Sequence, residues 1–449
     1  MGLRPPRQDQ GQGLPDLLVL GQRAPLAPLV AHRALHPVAA VAGAPAPPAA
    51  APAARGAAPG AAPDPFGPLA GATPRGARAG LYIHVPFCVR RCHYCAFNTA
   101  PLAPGALGRY LAALHRELDL LAALPWARRL TLGSVFFGGG TPSLLDPDAL
   151  AAVLDRIRRR FALAPDAEVT VECNPESVSR DHLAAYRAAG VTRLSLGVQA
   201  LDDALLAALG RLHDARGARA AFAAARAAGF DNVNVDLMYG LPGLTLETWT
   251  RTVAEVLAWA PEHLSAYALS LDPGSRWGAT GVRGLPDEEL VVAQYWALAR
   301  RATAAGWEHY EISNYARPGR RSTHNLLYWR RGEYLAAGPG AAGFVGDLRW
   351  STVRALGRWA ACLEAGALPI ETAERLTPRQ VLGERLILGL RLAEGVPEAS
   401  LEVRLREDPA LRRRIDAWQE AGLLVRAGGR VRLTEAGFLV SDSLFVELL

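Results

Sequence analysis

From residue 81 to residue 269 the chain alternates between two hydrophobic patterns. Short β-rich runs predict strands: "LYIHV" (81–85), "SVFFG" (134–138), "EVTVE" (168–172), "RLSLGV" (193–198), "NVNVDL" (232–237) and "HLSAYAL" (263–269). Stretches with helical spacing lie between them, at 105–123, 147–161, 179–189, 214–228 and 246–259. Asp146–Pro147 marks one helix start: a side chain able to cap the first turn, then Pro at the first helical position. Six β/α repeats in series predict parallel strands with right-handed crossovers. The expected fold class is α/β, with a (β/α)6 partial barrel. The chemistry of such a barrel belongs at the carboxyl ends of its strands.

Beyond about residue 270 the alternation becomes irregular. A helix is expected over 286–305, and 308–350 is aromatic-rich with several glycines. From Leu376 a third texture begins, with helices at 378–390 and 408–421, a turn at "RAGGR", and the closing "VRLTEAGFLVSDSLFVELL". Two helices, a hairpin and a final helix predict a winged-helix-like α+β domain. Its last segments are acidic or apolar, which suits a structural or interaction role better than DNA binding. Residues 1–79 are dominated by Ala, Pro and Gly and are expected to be a disordered tail. The expected layout is the tail (1–79), the barrel (80–272), an extension completing the barrel side (273–372) and the winged-helix-like domain (373–449).

Composition narrows the picture. Half of the 449 residues are hydrophobic, enough for a large core. No run of about 18 uninterrupted apolar residues predicts a membrane span. Arg23, Arg33 and repeated prolines break up 14–50, so a secretory signal is not expected there, and scarce Ser weakens a mitochondrial one. The net charge of +6 is uneven: residues 1–79 carry seven Arg against three Asp. With no lysine anywhere, this fits a GC-rich coding bias better than a nucleic-acid surface. Five cysteines in so long a chain do not make a disulfide scaffold. Three of them lie close together, which points to metal or redox chemistry in a reducing, cytoplasmic setting. Cys173 and Cys362 lie far apart among apolar neighbours and are expected to be structural thiols.

The three are Cys88, Cys92 and Cys95, spaced C-x3-C-x2-C after the first strand. Zinc and an iron–sulfur cluster compete for them. Structural zinc closes a tetrahedron of four Cys or His, usually from two ligand pairs, and no second C-x2-C follows. His84 and His93 are near, but His84 falls in the first strand. A cubane cluster held by three thiolates keeps one iron open for another molecule. After strand two comes "FFGGGTPS", whose Gly138, Gly139 and Gly140 allow close backbone approach and offer N–H donors. Glu172, Gln199 and Asp236 end strands three, four and five. They could bind ribose hydroxyls or an ammonium group; the alternative is that each caps the next helix. Arg211 could pair with a ligand carboxylate.

The stretch "YIHVPFCVRRCHYCAFN" resembles the coproporphyrinogen dehydrogenase-like branch of the radical S-adenosylmethionine (SAM) family. "FFGGGTPS", "VECNPES", "RLSLGVQALDDALLAALGRLH", "NVDLMYGLPGLTLETW", "YEISNYARPG" and "THNLLYWRRGEYLAAGPGA" look similar too, so the likeness runs from about residue 81 to the end. It implies one [4Fe–4S] cluster on Cys88, Cys92 and Cys95, with SAM on the fourth iron. It also implies SAM contacts at Tyr82, Tyr94, Gly139, Gly140, Thr141, Glu172, Gln199, Arg211, Asp236 and Ala268. Two kinds of protein share this branch. One oxidatively decarboxylates coproporphyrinogen III without oxygen. The other is a haem chaperone, for which haem, haem-acceptor proteins, an electron donor and a second copy of the chain are the expected partners. The dehydrogenase pattern has a further cysteine where this chain has Phe97, which favours the chaperone. "HNLLYW" (324–329) matches a motif of the chaperone group and makes His324 a candidate haem contact, with a hydrogen-bonded structural histidine as the alternative. Relatives read G-x-G-A-H after the "GEYL" stretch; here Ala342 takes the place of that histidine, which implies weaker haem binding if the histidine holds haem.

Overall fold

The structure, a computed structural model, describes residues 64–448. Six strands lie side by side in sequence order: β1 (Arg78–Val85), β2 (Thr131–Gly139), β3 (Ala162–Cys173), β4 (Arg193–Gln199), β5 (Val233–Tyr239) and β6 (His263–Ala268). Every adjacent pair among them is parallel. The connections carry α1 (Ala106–Ala122), α2 (Pro147–Arg160), α3 (Arg180–Ala189), α4 (Asp203–Leu209), α5 (Ala215–Ala227) and α6 (Leu246–Ala258). The helix expected from Asp146–Pro147 starts there, with the Asp146 side chain accepting from the Asp148 N–H. Four further N-caps of this region are likewise Ser, Asp or Thr, namely Ser179, Asp202, Asp214 and Thr245, whereas α1 starts after Gly105 without a side-chain cap.

The extension reaches both edges of this sheet. After α7 (Glu288–Ala304), strands β7 (Glu308–Glu311) and β8 (Asn314–Ala316) add antiparallel beside β6. Then α8 (Thr323–Trp329) crosses to the other edge, where β9 (Glu333–Ala337) pairs parallel with β1. An antiparallel ladder of β10 (Ala342–Val345), β11 (Leu348–Thr352) and β12 (Ile370–Arg375) follows, with α9 (Leu356–Glu364) between the last two. The resulting 12-stranded sheet ends at β12 and β7, which do not pair with each other, so the barrel is partial. Neither α4, α8 nor this ladder follows from the periodicity alone.

Successive strand residues face opposite sides. The outward row, with Leu81, Ile83, Val135, Phe137, Val169, Val171, Leu194, Leu196, Val233 and Val235, joins the helices in one large core. The inward row is buried yet largely polar: His84, Ser134, Thr170, Arg193, Ser195, Asn234, His263 and Ser265. Tyr82 and Phe136 form a small separate cluster with Ala336 and Ala341. The barrel interior is therefore lined with hydrogen-bonding groups.

The C-terminal domain has its own core, built on Leu386, Leu390, Leu401, Leu405, Ile415, Val431, Phe438 and Phe445. Helices α10 (Pro378–Leu390), α11 (Glu398–Glu407) and α12 (Pro409–Glu420) precede the hairpin β13 (Leu424–Ala427) and β14 (Arg430–Leu433), and two short helices end it. The winged-helix-like expectation is met, with α11 as an additional element. Ile312 N–H donates to the Arg391 carbonyl at 3.2 Å, and Ala393 N–H to the Tyr310 carbonyl at 3.0 Å, which ties this domain to the β7 side of the barrel.

The disordered tail expected over 1–79 lies outside the described residues up to residue 63. Residues 64–79 are packed. Leu69 and Ala72 are buried, Trp126 Nε1 donates to the Leu69 carbonyl at 2.7 Å, and Arg375 donates to the Gly71 carbonyl at 2.7 Å. Contact with the folded body thus begins before residue 80. Among the described residues, no helix is long and apolar enough to cross a membrane.

A candidate metal and cofactor site at the barrel mouth

The segment after β1 folds back along the carboxyl ends of the strands. Phe87–Cys88 pairs in parallel with Ala100–Pro101, closing the cysteine loop at its base. Thr141 Oγ1 donates to Cys88 Sγ at 3.6 Å, and Arg211 Nη1 donates to Cys92 Sγ at 3.6 Å. The thiols of Cys88, Cys92 and Cys95 lie near enough to act on one another electrostatically. Burial pushes the Cys95 thiol up to about 11 and raises that of Cys88 as well. Arg91 braces the loop, donating to the carbonyls of Cys95 (3.1 Å) and Gly274 (3.0 Å). Tyr94 packs against the main core beside Cys92.

Neither neighbouring histidine is free to act as a fourth ligand. The Asn98 carbonyl can only accept, so His84 donates to it from Nε2 at 2.8 Å, and His84 Nδ1 accepts from the Tyr82 hydroxyl at 3.0 Å. His93 donates from Nδ1 to the Ala208 carbonyl at 2.9 Å, and its Nε2 accepts from Arg276 at 3.0 Å. No group of three or more His, Cys, Asp or Glu side chains among the described residues is gathered tightly enough to hold a single metal ion. A tetrahedral zinc site needs such a gathering, with every sulfur about 2.3 Å from one ion. A cubane does not, because each thiolate binds a different iron. The donor set, three thiols with no fourth side chain, fits the cluster and not zinc.

Beside the cysteines stand the predicted polar groups. Glu172 accepts from the Gly139 N–H at 3.1 Å, and Asp236 accepts from Asn234 at 2.7 Å and Ser195 at 3.2 Å. Neither makes an ion pair among the described residues, and neither caps a helix. Burial, and then the charge of Asp236, pushes the Glu172 carboxyl up to about 8; burial also raises that of Asp236. Gln199 ends β4 at φ 67°, a left-handed conformation a non-glycine residue rarely adopts. Arg211 is held by the Asn174 side chain (2.7 Å) and the Gly197 carbonyl (2.8 Å), and its Nε is buried without a partner. Ala268 closes β6 opposite Tyr239.

The glycines behave differently from the expectation. Gly139 N–H is taken by Glu172, and Gly140 N–H donates to the Val85 carbonyl at 2.8 Å, so these are not free donors. What glycine supplies is space. A Cβ on Gly139 would lie 2.5 Å from the His84 ring, and one on Gly140 2.6 Å from the Phe87 carbonyl oxygen. Gly139 also sits at φ 113°.

His324 lies at the opposite end of the barrel. Its helix packs against the amino ends of the strands, where Glu168 accepts from the N–H groups of Thr323 and His324 at 3.1 Å. The distance from Ser134 to Gly139 along β2 is roughly 3.3 Å per residue, so more than a dozen ångströms separate this floor from the cysteine loop. His324 is 1% exposed, with Ser134 Oγ 2.8 Å from Nδ1 and the Tyr328 hydroxyl 2.8 Å from Nε2. It offers neither a free nitrogen nor an exposed edge to an iron. The arrangement matches the alternative reading of His324, a hydrogen-bonded structural histidine. Ala342 opens β10 at the edge of the ladder and is half-buried.

Several site residues escape the sequence reading. Asn174 links Arg211 to Thr141 Oγ1, to which it donates at 3.2 Å. Asn98 donates to the carbonyls of Pro339 and Arg354, tying the cysteine segment to the loop before β10 and the loop after β11. His263 donates from Nδ1 to Asn234 at 2.6 Å and accepts the Tyr310 hydroxyl at 2.8 Å. The signal for His84, Ser195, Asn234 and His263 is their place in the inward row, every second residue of a strand.

Comparison with known proteins places this geometry. Residues 82–256 match the model of the Radical SAM superfamily, and residues 376–440 that of the HemN C-terminal domain. The chain is 41% identical to the protein named heme chaperone HemW of Mycobacterium tuberculosis, over 85% of this chain and 97% of that one. It is 38% identical to the bovine "radical S-adenosyl methionine domain-containing protein 1, mitochondrial", over 86% and 90%. Among solved structures, coproporphyrinogen III oxidase (HemN) from Escherichia coli superposes with a TM-score of 0.74 over 85% of this chain and 92% of that chain, at 22% identity, which shows a shared fold.

Proposed function

The chain belongs to the HemW family of radical SAM proteins, and from that membership we propose that it is a haem chaperone, binding haem and passing it to acceptor proteins. The observation that carries this reading is similarity along both domains to proteins of that name, with 97% of the mycobacterial one covered. Phe97 adds to it, since the dehydrogenase pattern requires a cysteine there. Cytoplasmic residence, an electron donor and self-association belong to the same reading.

The radical SAM family carries a [4Fe–4S] cluster and SAM. In this chain Cys88, Cys92 and Cys95 would hold the cluster, and Tyr82, Tyr94, Gly139, Gly140, Thr141, Glu172, Gln199, Arg211, Asp236 and Ala268 would surround SAM. When bound, the reduced cluster and SAM would supply one-electron, radical-generating chemistry at this mouth. The protein's part is positional and electrostatic. Thr141 and Arg211 direct hydrogen bonds at two of the thiolates, which stabilises their anionic form. Arg211 keeps Nε–H for a carboxylate, and Glu172 and Asp236, buried acids without an ion-pair contact among the described residues, suit a cationic ligand. The oriented Tyr82–His84–Asn98 chain fixes the inner wall beneath the loop.

Anaerobically purified, cluster-reconstituted protein tests the reading when hemin and coproporphyrinogen III are offered in turn. Stoichiometric hemin binding, with haem delivered to an apo-acceptor and no CO2 released from coproporphyrinogen, is expected. Catalytic CO2 release with 5′-deoxyadenosine formed in step would replace the chaperone with a dehydrogenase.

A further inference from the structure

Arg193 opens β4, is 2% exposed, and belongs to the inward row. It pairs across the sheet with Thr170. Its Nε and Thr170 Oγ1 are both buried without a hydrogen-bond partner, and no carboxylate among the described residues lies within ion-pair distance of its guanidinium. Other buried arginines are engaged: Arg211 by Cys92, Asn174 and Gly197, Arg404 by Asp408 at 3.5 Å. A buried guanidinium without a partner is costly, so a chain that retains one requires a compensating use.

The groups around it suggest that use. On β4, between β3 and β5, Arg193 lies one inward step below Ser195, which pairs across the sheet with Glu172 and donates to Asp236 at 3.2 Å; its charge favours the ionised form of both acids and also reaches His263 of β6, Tyr310 of β7 and His324 of α8. It opposes protonation of both histidines, which their neutral hydrogen-bond patterns match. Glu172 and Asp236 are a pair of buried carboxylates that repel each other. They could not both be anionic in a barrel interior without a nearby positive charge, and no other residue of the inward row supplies one.

We propose that Arg193 is the internal counter-charge that lets Glu172 and Asp236 carry negative charge together and so receive a cationic ligand at the mouth. This rests on the reading that SAM, with its sulfonium and ammonium, binds there. Arg193 touches neither the ligand nor the cysteine loop; it is a positioning residue acting through the two acids.

The test is SAM affinity by equilibrium dialysis, from pH 6 to pH 9, on cluster-reconstituted wild-type protein, Arg193→Met and Arg193→Lys. Arg193→Met should bind at least tenfold more weakly at pH 7, with its rising pH arm displaced upward by about one unit or more. Its Tm should be unchanged or raised, since an unpaired buried charge is removed. Arg193→Lys should fall between the two. Equal affinity of Arg193→Met and wild type across the range would overturn the proposal. So would a uniform loss at every pH accompanied by a lower Tm, which marks a merely structural role. Wild-type protein that fails to bind SAM at any pH would overturn the underlying reading and this inference with it.

Discussion

The two ends of the barrel interior are built from the same inward rows but finished differently. At the floor, the rings of His263 and His324 have both nitrogens occupied, by Asn234, Tyr310, Ser134 and Tyr328. At the mouth, Glu172 and Asp236 are buried acids without a cationic contact, Arg211 holds a spare N–H, and three thiols face one another without a fourth ligand. Satisfied polar groups rigidify an interior; unsatisfied ones call for another use, a ligand at the mouth and, for Arg193 lower in the barrel, the charge of the two acids above it. On the proposed reading, the cysteine end is the working face and the "HNLLYW" helix closes the opposite end.

The contrast can be broken at either end. The largest effect is expected at the cysteines. Cys92→Ser should abolish the cluster, read as loss of iron, labile sulfide and charge-transfer absorbance, while the far-ultraviolet circular dichroism stays native. Next is Glu172→Gln, which should keep the cluster and weaken SAM binding by at least tenfold, about 1.4 kcal/mol, in equilibrium dialysis. In the wild type a cation at Glu172 favours the ionised acid, so affinity should rise with pH until about 8 and then level off. Glu172→Gln should flatten that arm.

At the floor the signature should be stability alone. His324→Leu leaves the buried Ser134 and Tyr328 hydroxyls unpaired, at about 1–3 kcal/mol for each. A lower denaturation midpoint with hemin and SAM affinities unchanged is expected. Hemin binding lost in a still-folded His324→Leu protein would restore His324 as a haem contact.

The smallest expected effect comes from Glu117 on α1. It accepts from the Gly338 N–H at 2.7 Å and Trp359 Nε1 at 3.2 Å, and burial pushes its carboxyl up to about 8. The folded state therefore prefers the neutral acid. The stability that Glu117 contributes is complete below the ordinary carboxylate range and is lost as pH rises through about 8. Between pH 5 and pH 9 the wild-type Tm should fall a few degrees further than that of Glu117→Gln.

Much of this was legible in the sequence. The six strands and, apart from α4, the helices between them follow from local periodicity, and the cap at Asp146 from residue type. The cysteine loop was legible because a short spacing sets ligands on one turn of chain. The antiparallel ladder and α8 were not, since β9 pairs with β1 across about 250 residues and no local pattern encodes that. The place of His324 was not legible for a related reason: motif resemblance marks a residue as important without saying which end of a barrel it occupies. The glycines were half read. Their need for space was evident, but the partners that take their N–H groups, Glu172 and Val85, come from other strands.

The central claim is that the three thiolates leave one iron of a cubane open and that SAM takes it. Electron paramagnetic resonance of the reconstituted, anaerobically reduced protein, recorded with and without SAM and paired with metal analysis, tests this most directly. The account predicts about four irons per chain and a reduced-cluster signal that shifts when SAM is added. A signal indifferent to SAM, or zinc in place of iron, would contradict it.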